Sequence, residues 1–376
     1  MSAEANCRRL VSRGDLPGSN GGIYNPGCLR LGHSIALLCR REIDFRATPL
    51  VFPELVLLDP DTLEVVGHRT LLKVGFELDE RIEDFRCLTF EGMNLAVHSL
   101  VCPARIKPVI SRVLSDALAH DDPFDLPIAL DPIEKNWVLF VHDGALHCLY
   151  RLDPLLIFVR QPDRSWGLVK EKHNGWADSV ERTLSNSTNL IPFEEGYLGF
   201  WHTQLAGRYV QGAFFLDRHL DIRYRTGILL DGECVKEPVK PGVLYVESLL
   251  EHNGQVLAFY GEGDAHTGVA IFDRAELCQE LQRCPFEPLE TIQVGYEGES
   301  MSDLFRAMQT LVSFATECQP ARIRLFVADI RLHRTIHEMK TPNVMLSTRP
   351  PVMPDAVLVG RTGQLAWTRG TPPICG

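Results

Sequence analysis

Residues 138–151 read VLFVHDGALHCLYR: an apolar run, a polar turn at Asp143-Gly144, and a second apolar run that ends on Tyr150 and Arg151. An Asp-Gly pair between two such runs favours a two-residue turn, because both turn positions need a positive φ that these residues tolerate. The β-branched and aromatic residues on either side are typical of strands. The stretch therefore predicts a β-hairpin with polar side chains at its open end.

The same pattern recurs four more times along the chain. The other copies are Cys28–Arg41, Leu88–Ser99, Leu190–Thr203 and Leu249–Asp264. Successive copies start about 50 to 60 residues apart, which is in the range of propeller blades. Five blades of four strands account for a chain of this length. We therefore predict an all-β fold, a five-bladed β-propeller with a few peripheral helices.

A second repeated element predicts the outer hairpins of the blades. It reads VLLDPDTLEVV from Val56 and FFLDRHLDIRY from Phe214. In the first of these, Asp59 and Asp61 imitate the D-x-D clamp that holds a metal ion in nucleotide-sugar enzymes. Because the repeat gives the same residues a role in a turn between two strands, we interpret them as a turn.

The repeat also suggests domain boundaries. We predict a flexible amino-terminal lead-in over residues 1–22 and a single propeller over residues 23–376. Ser302–Glu317 has the apolar spacing of an amphipathic helix, and Val109–Ala119 is a second, shorter helix candidate. We expect both to pack on the outside of the propeller. The segment Arg322–Pro351 fits none of the blade copies.

Composition excludes several classes of function. The formal net charge of −11 argues against broad nucleic-acid binding, which needs a basic face. The 11 cysteines are dispersed without a C-x-x-C pair, which indicates reduced thiols rather than disulfides or a zinc site. No apolar run reaches the roughly 18 residues of a membrane span, and the polar start does not resemble a signal peptide. We expect a cytoplasmic protein that binds no membrane and no metal.

In a propeller, equivalent places in the five copies become neighbours at one mouth of the central channel. Polar residues stand at these places, just before or at the end of each copy: Asn25, Arg40 or Arg41, Glu83, Asp84, Arg86, His98, Lys135, Tyr150, Arg151, His202 and Asp264. Carboxylates and amides bind hydroxyls, while Arg, Lys and His bind phosphate, so the group predicts a pocket for a sugar and a phosphate. Taken alone, Asp84 could instead pair with Arg81 or Arg86, and the two histidines could be core residues.

Six motifs in this order resemble glycoside hydrolase family 130, whose members are five-bladed propellers and largely β-mannoside phosphorylases. The motifs are YNPGCLRLG from Tyr24, RIEDFR from Arg81, EKNWVLF from Glu134, LYR from Leu149, GYLGFWHT from Gly196 and FYGEGDAHTGVA from Phe259. The resemblance runs from about Asn25 to Ala270. The cysteine content and the carboxyl-terminal third look most like a diverged trypanosomatid branch, the mannosyltransferase–phosphorylases of glycosyltransferase family 108, which make and degrade a β-1,2-linked mannose polymer.

The resemblance implies roles for the motif residues. The family's E-D-P-R motif supplies its sole catalytic acid, and Asp84 stands in that place, with Phe85 where the family has proline. The implied phosphate-binding residues are Lys135, Tyr150, Arg151 and His202. The implied substrate-binding residues are Asn25, Arg40, Arg86 and Asp264. The implied partners are a mannose oligosaccharide, inorganic phosphate or mannose 1-phosphate, and GDP-mannose, with no cofactor; a homo-oligomer stays open.

The residues favour phosphorolysis over hydrolysis. Ordinary glycosidases need two carboxylates, and related propeller glycosidases carry an aspartate base on the first blade, where this chain has Asn25. Phosphate needs no base, so its inverting attack on a β-mannoside would give α-mannose 1-phosphate while Asp84 protonates the leaving oxygen. In reverse, Asp84 would activate an acceptor hydroxyl, with mannose 1-phosphate or GDP-mannose as donor.

Two other functions stay open from the sequence. A glycosidase on the same fold would need a second carboxylate, for which Glu83, Glu195 and Glu262 are the candidates. A non-catalytic glycan-binding propeller would keep its ligand when Asp84 is replaced by asparagine, and would have no turnover to lose.

Overall fold

The chain divides into two compact units, residues 1–171 with 184–286 and residues 172–183 with 287–376. The first holds five blade-like sheets and the second holds one mainly parallel sheet. The computed structural model describes residues 5–16, 21–43, 50–77, 80–102, 105–122, 124–128, 130, 133–172, 184–205, 207–235, 239–286, 291–297, 302–303, 310, 322–326, 344–347, 356–359 and 364–367.

The five sheets of the first unit are the blades of a five-bladed β-propeller, which confirms the predicted fold. Strand β1 (Asn6–Val11) precedes blade I, which consists of β2 (Gly22–Leu31), β3 (Ser34–Glu42), β4 (Val51–Leu58) and β5 (Val65–Thr70). Blade II consists of β6 (Leu72–Val74), β7 (Arg81–Phe90), β8 (Met93–Cys102), β9 (Arg105–Val113) and β10 (Ala117–Asp122). Blade III consists of β11 (Val138–His142), β12 (Ala145–Leu152), β13 (Leu155–Arg160) and β14 (Trp166–Lys172). Blade IV consists of β15 (Ser185–Asn186), β16 (Ile191–Phe193), β17 (Gly196–Leu205), β18 (Arg208–Asp217), β19 (Ile222–Arg225) and β20 (Leu230–Asp231). Blade V consists of β21 (Leu244–His252), β22 (Gln255–Glu262), β23 (His266–Asp273) and, at its outer edge, β1.

Two-residue turns join β7 to β8 in blade II, β11 to β12 in blade III and β21 to β22 in blade V. Both turn residues have positive φ in Glu91-Gly92, Asp143-Gly144 and Asn253-Gly254. The residues that flank each turn pair directly, for example His142 with Ala145, as a tight hairpin requires. The hairpin predicted from VLFVHDGALHCLYR is therefore confirmed, and its open end lies opposite the turn.

Apolar side chains fill the spaces between neighbouring blades. Between blades I and II, for example, Leu38, Leu55, Phe85 and Val109 are buried in one cluster. Each such side chain contributes about 1.5–3 kcal/mol relative to its exposed state. Because this packing covers both faces of a blade, it fixes where the inner strands begin and end.

The amino-terminal residues differ from the predicted flexible lead-in. β1 pairs antiparallel with β23, with Asn6 opposite Ile271, and is the outermost strand of blade V. Arg9 adds a two-point ion pair to Glu262, with N–O distances of 2.7 and 3.2 Å. The first strand of the chain therefore closes the ring onto the last blade. Its sequence, NCRRLV, lacks an apolar pattern because most of the strand is exposed.

Both Asp-containing outer elements form turns between strands, as predicted. Asp59 Oδ1 accepts hydrogen bonds from the backbone N–H groups of Asp61 at 3.0 Å and Thr62 at 2.9 Å. Asp217 Oδ1 likewise accepts from the N–H groups two and four residues later, at 2.8 and 2.9 Å. These carboxylates are therefore occupied in closing turns rather than in presenting a metal clamp.

Val109–Ala119 is not a helix, contrary to the prediction. It contains the end of β9 and the start of β10, joined by a turn in which the Leu114 N–H donates to the carbonyl of Ala117 at 2.8 Å. The β-branched residues Val109, Ile110 and Val113 favour a strand, and tertiary pairing with β8 decides between the two periodicities.

Helix α1 (Arg274–Gln282) follows blade V. Asp273 caps it by accepting a hydrogen bond from the N–H of Glu276 at 2.9 Å. Gly232–Cys234 form a short 3₁₀ turn. The predicted helix Ser302–Glu317 lies almost wholly outside the described residues. No helix among those residues has the length and apolar character needed to cross a membrane.

The second unit contains a sheet that is not a blade, so the structure ends the propeller before residue 287 rather than at residue 376. Its strands are β24 (Thr291–Glu297), β25 (Arg322–Phe326), β26 (Val344–Ser347), β27 (Ala356–Val359) and β28 (Gln364–Trp367). β24 pairs in parallel with both β25 and β27, and β25 pairs in parallel with β26. Parallel pairs need crossover connections, whereas a blade is an antiparallel meander. This accounts for the failure of Arg322–Pro351 to match a blade copy.

Candidate active site

Three inner strands carry a β-bulge near their first residues. The pairing register shifts in β2, in β7 and in β21. A bulge turns side chains away from the regular alternation of a strand, and bulges often lie beside active sites. The residues inside the three shifts include Asn25, Asp84 and Glu247, one from each of blades I, II and V.

The carboxylate of Asp84 is buried and contacts residues from outside its own blade. Asn25 Nδ2 donates a hydrogen bond to Asp84 Oδ1 at 2.9 Å, and Lys135 Nζ lies 3.4 Å from Asp84 Oδ2. Asn25 and Asp84 both have a left-handed backbone, with φ of 53° and 61°. Such a conformation costs most residues about 1–2 kcal/mol, and asparagine and aspartate adopt it more readily than others. The local residue types thus permit the bulges that bring the two side chains together.

Charges alternate in a line that ends at Asp84. Lys135 Nζ also lies 3.2 Å from Glu83 Oε2, and the other oxygen of Glu83 lies 3.1 Å from Arg40 Nη2. Arg40 in turn forms an ion pair with Glu42. The order is therefore Glu42, Arg40, Glu83, Lys135, Asp84, in which each cation lies between two carboxylates.

Arg40, and not its neighbour Arg41, belongs to this group. Arg41 Nη1 lies 3.1 Å from Oε2 of Glu54, a fully buried carboxylate that also accepts a hydrogen bond from Thr70 at 2.6 Å. Successive side chains of a strand point to opposite faces, so the two arginines cannot share a partner set. The sequence leaves open whether Arg40 or Arg41 belongs to the site, and the ion pairs place Arg40 in this group.

Arg86 is almost wholly buried, with 2% exposure, and five oxygen atoms surround its guanidinium group. Nε donates to the carbonyl of Ser187 at 2.8 Å, and Nη1 donates to the carbonyl of Asp84 at 3.3 Å. Nη2 donates to Tyr245 Oη at 2.7 Å and to Asn136 Oδ1 at 3.0 Å. The fifth contact is an ion pair of 3.0 Å between Nη1 and an oxygen of Glu247.

The tripeptide Glu134-Lys135-Asn136 joins two groups of predicted residues. Lys135 contacts Asp84, as described, while Glu134 Oε1 accepts a hydrogen bond from the hydroxyl of Tyr150 at 3.0 Å. Arg151 Nη2 donates to the same hydroxyl at 3.0 Å and lies over the ring. Burial, opposed by Arg151, raises the pKa of Tyr150 to about 12. Tyr150 and Arg151 therefore form a pair that is hydrogen-bonded to Glu134, the residue next to Lys135 in the chain.

His202 lies in an aromatic group at the end of β17. Its ring centroid is 4.8 Å from that of Tyr245 and 5.8 Å from that of Tyr209. Burial first, and then the charge of Arg86, lowers the pKa of His202 to about 3. The side chain is therefore neutral near pH 7 and can serve as a hydrogen-bonding group, but not as the cation that the sequence suggests.

Asp264 lies apart from the Asp84 group. It occupies the turn between β22 and β23, has a left-handed φ of 52°, and pairs with Lys240. Gly261, near the end of β22 that precedes this turn, lies close to the site, because a Cβ at that position would lie 2.3 Å from Asn25 Oδ1. Asp264 thus belongs to a rim that packs beside Asn25, without a contact to Asp84 among the described residues.

Opposing effects determine the ionisation of Asp84. Burial alone would raise its pKa, but the charges of Lys135, Arg86 and Arg40 and the hydrogen bond from Asn25 outweigh burial and hold the pKa below its usual range. Burial likewise opposes the charge on Lys135, yet Asp84 and Glu83 raise the pKa of that ammonium group. The resting site therefore contains a carboxylate among cations, an arrangement that suits the binding of an anion next to an acid–base group.

The structure brings Asn25, Arg40, Asp84, Arg86 and Lys135 together. It places Tyr150 with Arg151. His202 lies beside Tyr245, and Asp264 pairs with Lys240 outside this group. Sequence reasoning missed Glu134, Asn136, Tyr245 and Glu247. The last two stand in LYVESLL, just before the fifth copy of the repeat, where Asn25 and Asp84 stand before the first and second. That shared offset was the signal that could have identified them.

No cluster of three or more His, Cys, Asp or Glu residues that could hold a metal ion is found in the part of the chain that the structure describes. The nine cysteines in that part are all free thiols, three of them buried around the strands of blades I and II: Cys28, Cys39 and Cys87. The cations whose charge acts on Asp84 are Lys135, Arg86 and Arg40.

Comparison with known proteins gives a match in fold. Neither a protein-family model nor a curated protein matches the chain. Among solved structures, the β-1,2-mannobiose phosphorylase of Listeria innocua, in complex with β-1,2-mannobiose, aligns with a TM-score of 0.60 at 16% identity, over 74% of this chain and 99% of that one.

Two further structures give similar values. A putative glycosidase from Bacteroides thetaiotaomicron aligns with a TM-score of 0.56 at 15% identity, over 68% of this chain and 88% of that one. A third structure is described under the family 130 mannoside phosphorylases, a family stated to contain hydrolases of β-1,2 mannosidic linkages in Candida mannan. It aligns with a TM-score of 0.55 at 12% identity, over 72% of this chain and 94% of that one. At these identities the likeness shows that the chain shares their fold.

Proposed function

We propose that this chain catalyses inverting mannosyl transfer, the reversible phosphorolysis of β-1,2-linked mannose oligosaccharides. The observation that carries the proposal is the carboxylate of Asp84, buried at a bulge and held by Asn25 and Lys135 beside Arg40. The fold shared with a β-1,2-mannobiose phosphorylase supports the choice of substrate.

In the degradative direction, phosphate enters among the cations and one of its oxygens attacks C1 of the mannosyl residue. The bond from C1 to the glycosidic oxygen breaks with inversion, and that oxygen takes the proton of Asp84, directly or through a sugar hydroxyl. The products are α-mannose 1-phosphate and a shortened oligosaccharide. Lys135, Tyr150, Arg151 and His202 are the proposed phosphate-binding residues, and Asn25, Arg40 and Asp264 are proposed to contact sugar.

The charge balance of the site suits an acid that gains its proton when phosphate binds. With no anion bound, Lys135 and the arginines keep Asp84 ionised. A bound phosphate dianion competes for the same cations and adds negative charge, so it raises the pKa of Asp84 and favours the protonated acid. In synthesis, α-mannose 1-phosphate is the proposed donor and GDP-mannose a second one, since both are α-linked anions.

Hydrolysis on the same fold is the second candidate, and the positions of the alternative carboxylates speak against it. Glu262 is bound to Arg9, and Glu195 is exposed at the hairpin turn that follows β16. Glu83 is near Asp84 but is paired with both Arg40 and Lys135. A general base needs a free lone pair directed at water, which two ion pairs at Glu83 oppose.

The test is to incubate the purified protein with β-1,2-mannobiose, with and without phosphate, and to follow phosphorus resonances for α-mannose 1-phosphate. We expect product only with phosphate, and oligosaccharide when mannose 1-phosphate or GDP-mannose is supplied with mannose. Asp84→Asn should reduce turnover by about a thousandfold, while Asp217→Asn, in a remote turn, should not. Release of free mannose without phosphate would indicate the hydrolase, and no turnover of any of these substrates would refute the proposal.

A further inference from the structure

Arg86 is tied to every blade around the site except blade I. Its five oxygen partners come from Asp84 of blade II, Asn136 before blade III, Ser187 of blade IV, and the pair Tyr245 and Glu247 of blade V. A guanidinium group has five N–H donors in a fixed planar arrangement. Four hydrogen bonds use four of these donors, and the Glu247 carboxylate lies 3.0 Å from Nη1 as an ion pair. These partners surround the guanidinium group and leave little room for a sugar or phosphate oxygen.

The contact within blade II falls on the bulge. Arg86 Nη1 donates to the carbonyl of Asp84, two residues earlier, and the register of β7 against β8 shifts between Glu83 and Arg86. The left-handed backbone of Asp84 lies inside this shift. A strained backbone persists only where its surroundings hold it, so the position of the Asp84 carboxyl depends on Arg86.

Glu247 occupies in blade V the place that Asp84 occupies in blade II. It is the extra residue of the bulge in β21, has no exposed surface, and lies 3.0 Å from Arg86. Neither of its carboxylate oxygens accepts a hydrogen bond of good geometry from the described residues, so the charge of Arg86 is its main partner. A buried polar group with so little compensation is costly and implies a specific role.

Tyr245 closes the arrangement from the same strand. Its hydroxyl accepts from Arg86 Nη2 and donates to Asn136 Oδ1 at 3.0 Å, and Arg86 Nη2 also reaches Asn136 Oδ1. Arg86, Tyr245 and Asn136 are thus mutually hydrogen-bonded, and Asn136 is the residue that follows Lys135. Loss of one member would leave buried donors or acceptors unpaired and let the guanidinium group move.

We propose that Arg86 is a positioning residue that holds the Asp84 bulge, rather than a ligand for substrate, and that Tyr245 and Glu247 keep it in place. The inference rests on the proposed function, in which Asp84 protonates the leaving oxygen. It replaces the substrate-binding role that the sequence assigns to Arg86.

The test compares two conservative variants beside Arg86 with two control variants that carry the same type of substitution away from the site. Tyr245→Phe removes one hydroxyl, and Glu247→Asp withdraws the carboxyl by one methylene. Tyr197→Phe is the matched control, since its hydroxyl binds the carbonyl of Val141 in the hairpin at the other end of blade III. Glu54→Asp is the second control, a fully buried glutamate paired with Arg41.

Two substrates separate positioning from stability. With mannobiose, the site variants should lose roughly 10- to 100-fold in kcat, because a small displacement of a reacting group can cost that much, while KM for phosphate changes by less than about threefold. With dinitrophenyl β-mannoside, whose leaving oxygen needs no proton, the loss should shrink to about threefold or less. Thermal unfolding of all four variants corrects for the folded fraction, and both controls should keep the unmodified kcat.

Other outcomes overturn the proposal in distinct ways. A rise in KM for phosphate or sugar with unchanged kcat would make Arg86 a binding residue. Equal losses on both mannosides would indicate a general structural effect, and unchanged kcat on mannobiose would show that the support is not needed. If the unmodified protein turned over no mannoside, the proposed function itself would be refuted. If that protein were active and both site variants were unaffected, only this inference would be refuted.

Discussion

The side-chain amide of Asn25 donates a 2.9 Å hydrogen bond to the carboxylate of Asp84, and both residues have a left-handed backbone. They belong to different blades and are each the polar residue of a bulge. The position of the proposed catalytic acid therefore depends on the contact between blades I and II, in addition to its own strand.

Replacing this amide should separate activity from stability. Asn25→Ala removes the hydrogen bond and forces alanine into a left-handed conformation, so we expect a loss of about 1–2 kcal/mol in stability and roughly 10- to 100-fold in kcat. Asn253→Ala makes the same change at a left-handed asparagine in the remote turn of blade V. The control should show a similar stability loss in urea denaturation and the unmodified kcat; a matching loss of activity would contradict the role of Asn25.

A methyl group at Gly261 should disturb the same contact from blade V. Its Cβ would lie 2.3 Å from Asn25 Oδ1 and 3.0 Å from Asn25 N, so the amide must move off Asp84. We expect Gly261→Ala to lose about tenfold or more in kcat with the propeller intact by circular dichroism. Gly227→Ala is the control, since no atom lies within 4 Å of its added Cβ. Equal activity of both variants would show that Asn25 does not need its observed position.

The adjacent arginines should respond in opposite ways. Arg40→Gln removes a cation beside Glu83 and a proposed sugar contact, so we expect KM for the mannoside to rise about tenfold or more with a small change in stability. Arg41→Gln deprives the fully buried Glu54 of its cation and should cost about 3 kcal/mol of stability without changing KM. Steady-state kinetics and urea denaturation of both variants check this, and a reversed pattern would move the site to the other face of β3.

Acid should destabilise the protein through buried His98. Burial lowers its pKa to about 3, while a histidine in the unfolded chain has its ordinary pKa of about 6.5. The unfolded state then binds the extra proton, so stability is complete above about pH 6.5 and falls as the pH decreases, by at most about 1.4 kcal/mol per unit. His98→Gln keeps an amide near Ser111, the present partner of Nε2 at 2.8 Å. Its unfolding free energy should fall less steeply between pH 7 and 4, and parallel slopes would contradict the prediction.

The propeller could be predicted because its signals are local. A two-residue turn such as Asp143-Gly144 follows from the conformations open to its own residues, and five similar hairpins imply one repeated unit. The closing strand β1 could not be predicted, since its exposed sequence shows no pattern and its partner β23 lies at the far end of the propeller. The parallel sheet after residue 290 breaks the repeat and has no counterpart in the hairpin pattern.

The same distinction applies to the site. Asp84, Asn25 and Lys135 were predicted because they flank copies of the repeat at similar offsets. Tyr245 and Glu247 have that offset too, but they stand within the apolar run LYVESLL, where polar residues are easily taken for strand positions. The neutral state of His202 and the contacts of Arg86 result from burial and from partners in other blades, which the sequence does not display.

The pairing of β1 with β23 has a consequence for biosynthesis. Strand β1 has its partner some 260 residues later in the chain, with Asn6 opposite Ile271, so it stays unpaired while the first four blades are made. Contacts this distant in sequence slow folding, because the intervening chain must be ordered before they form. We therefore expect the ring to close after translation of residue 273, with the nascent chain exposing an open edge to chaperones until then.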